Sequence, residues 1–112
     1  MMAGFYDDDE KVRLTFRINY GTEPGQALSI VGDNEATGNW SDLSRGMMKW
    51  TQDNWWVVTI EVDPSRSFMY KYVVIDYDSK SPLRWEEGRN RICDPEYIPR
   101  VSEFSNQLEP LV

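Results

Sequence analysis

The sequence predicts an all-β fold, an immunoglobulin-like antiparallel β-sandwich of seven or eight strands. Apolar and polar residues alternate with period two in three separate segments, and turn formers separate the segments at intervals of about 8 to 12 residues. No segment carries apolar residues at helical spacing for three turns. Short alternating strands with regular turn signals, and no helical pattern between them, point to two packed sheets.

The first alternating segment is Lys11 to Ile18, with Val12, Leu14, Phe16 and Ile18 on one face and Lys11, Arg13, Thr15 and Arg17 on the other. That is a half-buried strand. Asn19 to Gly25 collects turn formers, and the run Gln26 to Val31, ending at Gly32, suits a strand leaving a turn. Asp33 to Gly46 is a polar loop that holds a single large aromatic, Trp40. Trp55 to Val62 alternates again, setting Trp56, Val58, Ile60 and Val62 against Trp55, Val57, Thr59 and Glu61, and Asp63-Pro64-Ser65 closes it. Phe68 to Ile75 repeats the pattern, so the two strands are expected to pair as a hairpin. Leu83 to Trp85 is a short extended piece, and Glu86 to Arg91 a charged loop. Arg100 to Phe104 is expected to add an edge strand. The chain therefore divides into an acidic N-terminal arm at 1–10, a sandwich at 11–104, and a tail or linker at 105–112.

A chain of 112 residues is one ordinary domain, able to bury about two-thirds of its unfolded surface. Cys93 is its one cysteine, which excludes an internal disulfide. With 12 Lys and Arg against 19 Asp and Glu, the net charge of −7 leaves no cationic excess to release counterions from phosphates, so nucleic acid is not an expected partner. Histidine is absent, which removes Ser-His-Asp and Cys-His nucleophile systems and histidine metal sites. No metal or other cofactor is expected. No run approaches 18 apolar residues, and the start lacks the basic opening and apolar stretch of a signal peptide. The expectation is a cytoplasmic protein with no membrane partner.

Several residues invite a chemical reading and most decline it. Asp7 to Glu10 lack the spaced ligands and glycine turn of a cation loop and are read as a solvated arm. Cys93 has no histidine to activate it and is read as an inert thiol. Glu86 and Glu87 are adjacent, so in an extended chain they point to opposite faces and do not flank one glycosidic bond. Asn39-Trp40-Ser41 is an N-glycosylation triplet beside an aromatic.

The tryptophans are more informative. There are five of them, alongside six tyrosines, in a chain that is only 40% hydrophobic, which over-supplies aromatics for the size of its core. Parity puts Trp55 outward, where it either lies half-buried over an edge or offers a flat apolar face. Trp40 and Trp85 sit in or beside loops with amides and carboxylates nearby; they either plug the ends of the sandwich or stack on sugar rings, whose apolar C–H faces suit an indole and whose hydroxyls need polar neighbours. Parity also places Lys71 opposite Tyr70 and Tyr72, available to a ligand.

The set Gly32, Gly38-Asn39-Trp40, Trp55-Trp56-Val57-Val58-Thr59, Phe68-Met69-Tyr70-Lys71-Tyr72, Arg84-Trp85-Glu86 and Gly88-Arg89-Asn90-Arg91 resembles a starch-binding carbohydrate-binding module of family 20. The pattern spans residues 11 to 92, and its order and spacing together are far more specific than any one motif. The resemblance implies an open-sided sandwich that binds α-1,4-linked glucan (starch, glycogen or maltooligosaccharides) without catalysis of its own. By motif it implies a first glucan site of Trp40, Trp85, Lys71 and Asn90, with Glu86 or Glu87 as hydroxyl acceptor. It implies a second site at Trp55 and Trp50, with Tyr20 reaching across to where the family has another tyrosine. The sequence departs from the family pattern at Thr37, where a leucine is usual, and at Asp33, Asn34 and Glu35, where small apolar residues are usual. Glycogen-binding modules of kinase regulatory subunits also use paired tryptophans, but the Trp-Glu-x-Gly-x-Asn-Arg segment favours the starch-binding family. Two rival readings are a protein-interaction sandwich using the same aromatics for a polypeptide, and the targeting end of a larger protein with a catalytic domain.

Overall fold

A computed structural model describes residues 11–97 and the strand at 101–106. Its eight strands are β1 (Val12–Asn19), β2 (Gln26–Gly32), β3 (Lys49–Trp50), β4 (Trp55–Val62), β5 (Phe68–Asp76), β6 (Pro82–Trp85), β7 (Arg91–Cys93) and β8 (Val101–Asn106). They form two sheets, one in the order β3-β4-β1-β8 and the other β2-β5-β6, with β7 also paired to β5. The fold is the expected sandwich of two largely antiparallel sheets, with one parallel pair, β1 and β8. β8 runs two residues beyond the Phe104 expected from sequence. The acidic arm at 1–10 and the chain end at 107–112 lie outside the described residues.

The alternating faces stand where period two puts them. Leu14, Phe16 and Ile18 are fully buried, and Trp56, Ile60 and Val62 of β4 meet them from the neighbouring strand of the same sheet. Phe68, Tyr70, Tyr72 and Val74 face them from the second sheet. The rings of Phe16 and Tyr70 meet edge to face across the sandwich, with centroids 5.2 Å apart.

The expected hairpin between the fourth and fifth strands does not form. β4 pairs β1 and β3 in one sheet, whereas β5 pairs β2, β6 and β7 in the other. The link at 63–67 crosses between sheets, and the Asp63 carboxylate shapes it by accepting from the amide and hydroxyl of Ser65. Each strand has one apolar face, and placing the two in opposite layers stacks those faces against each other.

The second sheet is buried on both sides along β2. Ala27, Ser29 and Val31, on the face away from the sandwich interior, are as inaccessible as Leu28 and Ile30. The segment after β2 doubles back over it: Ile30 N–H donates to Gly46 O, Met48 N–H to Leu28 O, and the buried Ser29 hydroxyl to Leu43 O at 2.6 Å. Gly46 is a glycine because a Cβ there would lie 2.0 Å from the Ile30 carbonyl oxygen. Gly46→Ala should therefore force the return segment off β2 and cost about 2 kcal/mol or more. A urea unfolding midpoint for this variant equal to that of the parent would contradict the close approach.

Candidate functional site

The loop after β2 places Trp40 at the end of a capped turn. Asn34 caps a 3-10 turn over Glu35–Trp40, its side-chain oxygen accepting from Thr37 N–H at 3.0 Å while the Thr37 hydroxyl, buried, also contacts it. Thr37, one of the positions where the sequence departs from the pattern it resembles, closes this cap with its hydroxyl. Gly38, Asn39 and Trp40 then take φ values of +83°, +52° and +64° in succession. A left-handed backbone is natural for glycine and tolerated by asparagine, but for a bulky indole it is strained, and such strain clusters at ligand-binding positions. Trp40 ends half-buried, one side packed on the core. The root of this loop is tied to β5: Asp33 N–H donates to Met69 O and the Asp33 carboxylate accepts from Met69 N–H.

Trp85 closes β6, opposite Val73 of β5, with 39% of its surface exposed. Lys71 and Val73 are two apart on β5 and so share a face, which brings Lys71 beside Trp85. Asn90 lies just before β7, its side-chain nitrogen 3.6 Å from the Met69 sulfur, one step further along the same row of β5. Trp85, Lys71 and Asn90 are thereby gathered along β5, and the Trp40 loop springs from the Met69 end of that strand.

Glu86 does not stand ready to accept a sugar hydroxyl. It is 4% exposed, and its carboxylate accepts from Tyr72 N–H at 3.2 Å and from Arg91 Nε at 2.8 and 3.1 Å. Arg91 Nη2 lies 2.6 Å from the same carboxylate, a coulombic contact not aligned as a further hydrogen bond. Burial alone would lower the affinity of Arg91 for its proton, but the hydrogen bonds and charge of Glu86 outweigh it and hold the guanidinium pKa above its ordinary value. The expectation for Glu86 is thus corrected: a buried carboxylate needs a charged partner, and Arg91, five residues on, supplies it. Glu87 remains exposed.

Of the residues expected to form a second site, Trp50 and Trp55 point to opposite sides of their sheet. Trp50 pairs with Trp56 across β3 and β4, so both indoles point to one side while Trp55, next along β4, points to the other. Trp55 lies under the Arg17 guanidinium, 4.4 Å from its ring centre. The Tyr20 hydroxyl accepts from Arg84 at 3.1 Å, and the Tyr20 carbonyl accepts from the Trp56 indole N–H at 3.0 Å. Trp50 instead walls a cleft of about 630 Å³ with Trp56, Met47, Lys49, Asn54 and Tyr77. Its indole N–H donates to Asn54 at 3.4 Å. Tyr77, 54% exposed, is a residue that the strand pattern does not single out; its one signal in the sequence is an aromatic inside the turn-forming stretch after β5. Its N–H donates to Gly25 O, which draws the two turns together into one wall of the cleft.

Among the described residues no group of three potential metal ligands occurs, and no helix is long and apolar enough to cross a membrane. Cys93 is 1% exposed, and burial, with a smaller contribution from Asp94, pushes its thiol up to about 11. It is protonated at neutral pH and a poor nucleophile.

Comparison with known proteins adds to this geometry. Residues 11–104 match the family model described as the starch binding domain. A glucoamylase of Neurospora crassa is 33% identical over 87 residues, which is 74% of this chain and 14% of that protein. A glucoamylase structure from Hypocrea jecorina superposes with a TM-score of 0.72 at 22% identity, over 87% of this chain and 16% of that one. The family 20 carbohydrate-binding module of a maltotetraose-forming amylase from Pseudomonas saccharophila STB07 superposes with a TM-score of 0.65 at 23% identity, over 85% of this chain and 100% of that one. The chain thus spans a small part of the full-length enzymes it resembles.

Proposed function

The chain belongs to the starch-binding domain family, and on that premise we propose that it binds α-1,4-linked glucan without catalysing any change in it, stacking glucose units on Trp85 and Trp40. The observation that carries this reading is the exposed Trp85 in register with Val73, on the same row of β5 as Lys71 and as the Met69 that Asn90 touches. An indole face supplies the apolar contact, and the Asn90 amide and exposed Glu87 supply polar partners for the hydroxyl rim. The cleft walled by Trp50 and Tyr77 is a second place where a glucan chain would find two aromatic faces. The relative from Neurospora is a glucoamylase, and we propose the same setting here, a binding module that serves a glucan-active protein.

An open platform buries little area and exchanges water for hydroxyl contacts of similar strength, so each site should bind with a Kd of roughly micromolar to millimolar. Titration with β-cyclodextrin or maltoheptaose, followed by tryptophan fluorescence, should give a saturable change that cellohexaose does not. A folded protein that responds to none of these sugars would overturn the reading and favour a polypeptide partner.

A further inference from the structure

The second sheet is interrupted beside the candidate site. β5 is paired to β6 at Val73–Ile75 and to β7 at Phe68–Tyr70, so neither strand faces Lys71 and Tyr72. There the chain leaves the sheet as the turn 86–90, with Trp85 at one end and Asn90 at the other. One main-chain bond from Glu86 and the side chains of Glu86 and Lys71 close this gap. Glu86 N–H donates to Tyr72 O at 3.0 Å, and the Glu86 carboxylate takes the Tyr72 N–H that has no strand to receive it. The Lys71 ammonium donates to Glu86 O at 2.9 Å and to Gly88 O. Gly88 takes φ +91° with nothing within 4 Å of where a Cβ would stand, so it is the left-handed residue that turns its carbonyl back to the lysine.

An ammonium has three N–H donors, and the turn occupies two of the three on Lys71. Backbone carbonyls are fixed acceptors, whereas a sugar hydroxyl competes with water for the same donor. We infer that Lys71 acts as a positioning residue: it pins the 86–90 turn and so sets how Trp85 and Asn90 stand relative to each other before any glucan arrives. Glu86 and Arg91 hold the root of the turn from the buried side. The inference rests on the glucan-binding reading above, and it changes the part played by two of the residues the family pattern suggested as sugar contacts.

Two variants separate positioning from contact. Lys71→Met keeps an unbranched side chain one atom shorter and removes the donors. Gly88→Ala keeps the lysine and strains the turn it holds, without steric clash. Both would be titrated with β-cyclodextrin, and backbone ¹⁵N relaxation of Glu87 to Asn90 would be measured without ligand. In the parent these amides should be rigid, with order parameters near about 0.85; in Lys71→Met they should fall below about 0.6. Affinity should drop about tenfold in Lys71→Met and several-fold in Gly88→Ala. If Lys71→Met binds weakly while its turn stays as rigid as in the parent, or Gly88→Ala binds as well as the parent, Lys71 works by touching sugar and the positioning role is wrong. A loosened turn with undiminished affinity also overturns it. Should Lys71→Met fail to fold, Gly88→Ala carries the test. A parent that binds no β-cyclodextrin, whatever the rigidity of its turn, fails instead on the proposed function.

Discussion

Trp85→Ala should weaken β-cyclodextrin binding by about 30-fold or more while leaving a cooperatively folding protein. The indole is 39% exposed at the end of β6, so its outer face is free to meet a sugar ring. Covering about 80 Å² of apolar surface at about 25 cal/mol per Å² contributes about 2 kcal/mol, and each 1.4 kcal/mol is about tenfold in Kd. The fold depends on this side chain much less. Its cross-strand partner Val73 is already buried and is held by β2 on its other side, so the thermal midpoint should fall by only a few degrees. Fluorescence titration and a thermal melt of the same preparation check both halves. Unchanged affinity would remove Trp85 from the site. A variant that does not fold would make the indole part of the core.

Trp56→Ala should do the reverse, costing about 3 to 5 kcal/mol of stability. Trp56 is 5% exposed, pairs with Ile18 across the sheet, and its indole N–H satisfies the Tyr20 carbonyl at 3.0 Å. Its removal opens a void at the end of the core and leaves that carbonyl without its donor. Against a total stability of about 5 to 15 kcal/mol, this is a large share, and the thermal midpoint should fall by about 15 °C or more. Guanidinium or thermal unfolding measures it directly. A loss below about 1 kcal/mol would mean that the interior face of β4 is not the one the alternation indicates. These two tryptophans lie on different strands, and the contrast between them separates an exposed indole from one that the fold depends on.

The difference between Trp56 and its neighbour Trp55 is legible in the alternation of residues 55–62 alone. So are the inward faces of β1 and β5, because strand alternation is a local property: each residue's side follows from its parity. Trp40 is legible as a candidate for a related reason, since a loop of glycine, asparagine and serine has no periodicity to carry an indole inward, and Trp85 because it stands at the end of a short extended piece before a charged loop. The absence of histidine and the excess of acids are counted from the sequence directly, and they bound the chemistry without reference to a fold.

What parity leaves open is which strands become neighbours, because pairing is decided by how all the apolar faces are buried at once. It is the packed fold that sends β4 and β5 to opposite sheets, lays β8 parallel to β1, and folds the chain around Gly46 over β2. The same holds within the site. Glu86 and Glu87 are indistinguishable by residue type, yet one lies buried against Arg91 and the other meets solvent. Lys71 sits on the expected face, but its donors turn to the carbonyls of a break in the sheet that no local pattern announces. Trp50 and Tyr77 come from strands and turns 27 positions apart and share a cleft because β3 and the turn after β5 meet at one end of the sandwich. Residue order dictates which face of each alternating strand turns to the core and what chemistry is available; which side chains meet, and which polar ones are buried, is settled by the assembled sheets, because that depends on contacts between residues far apart along the chain.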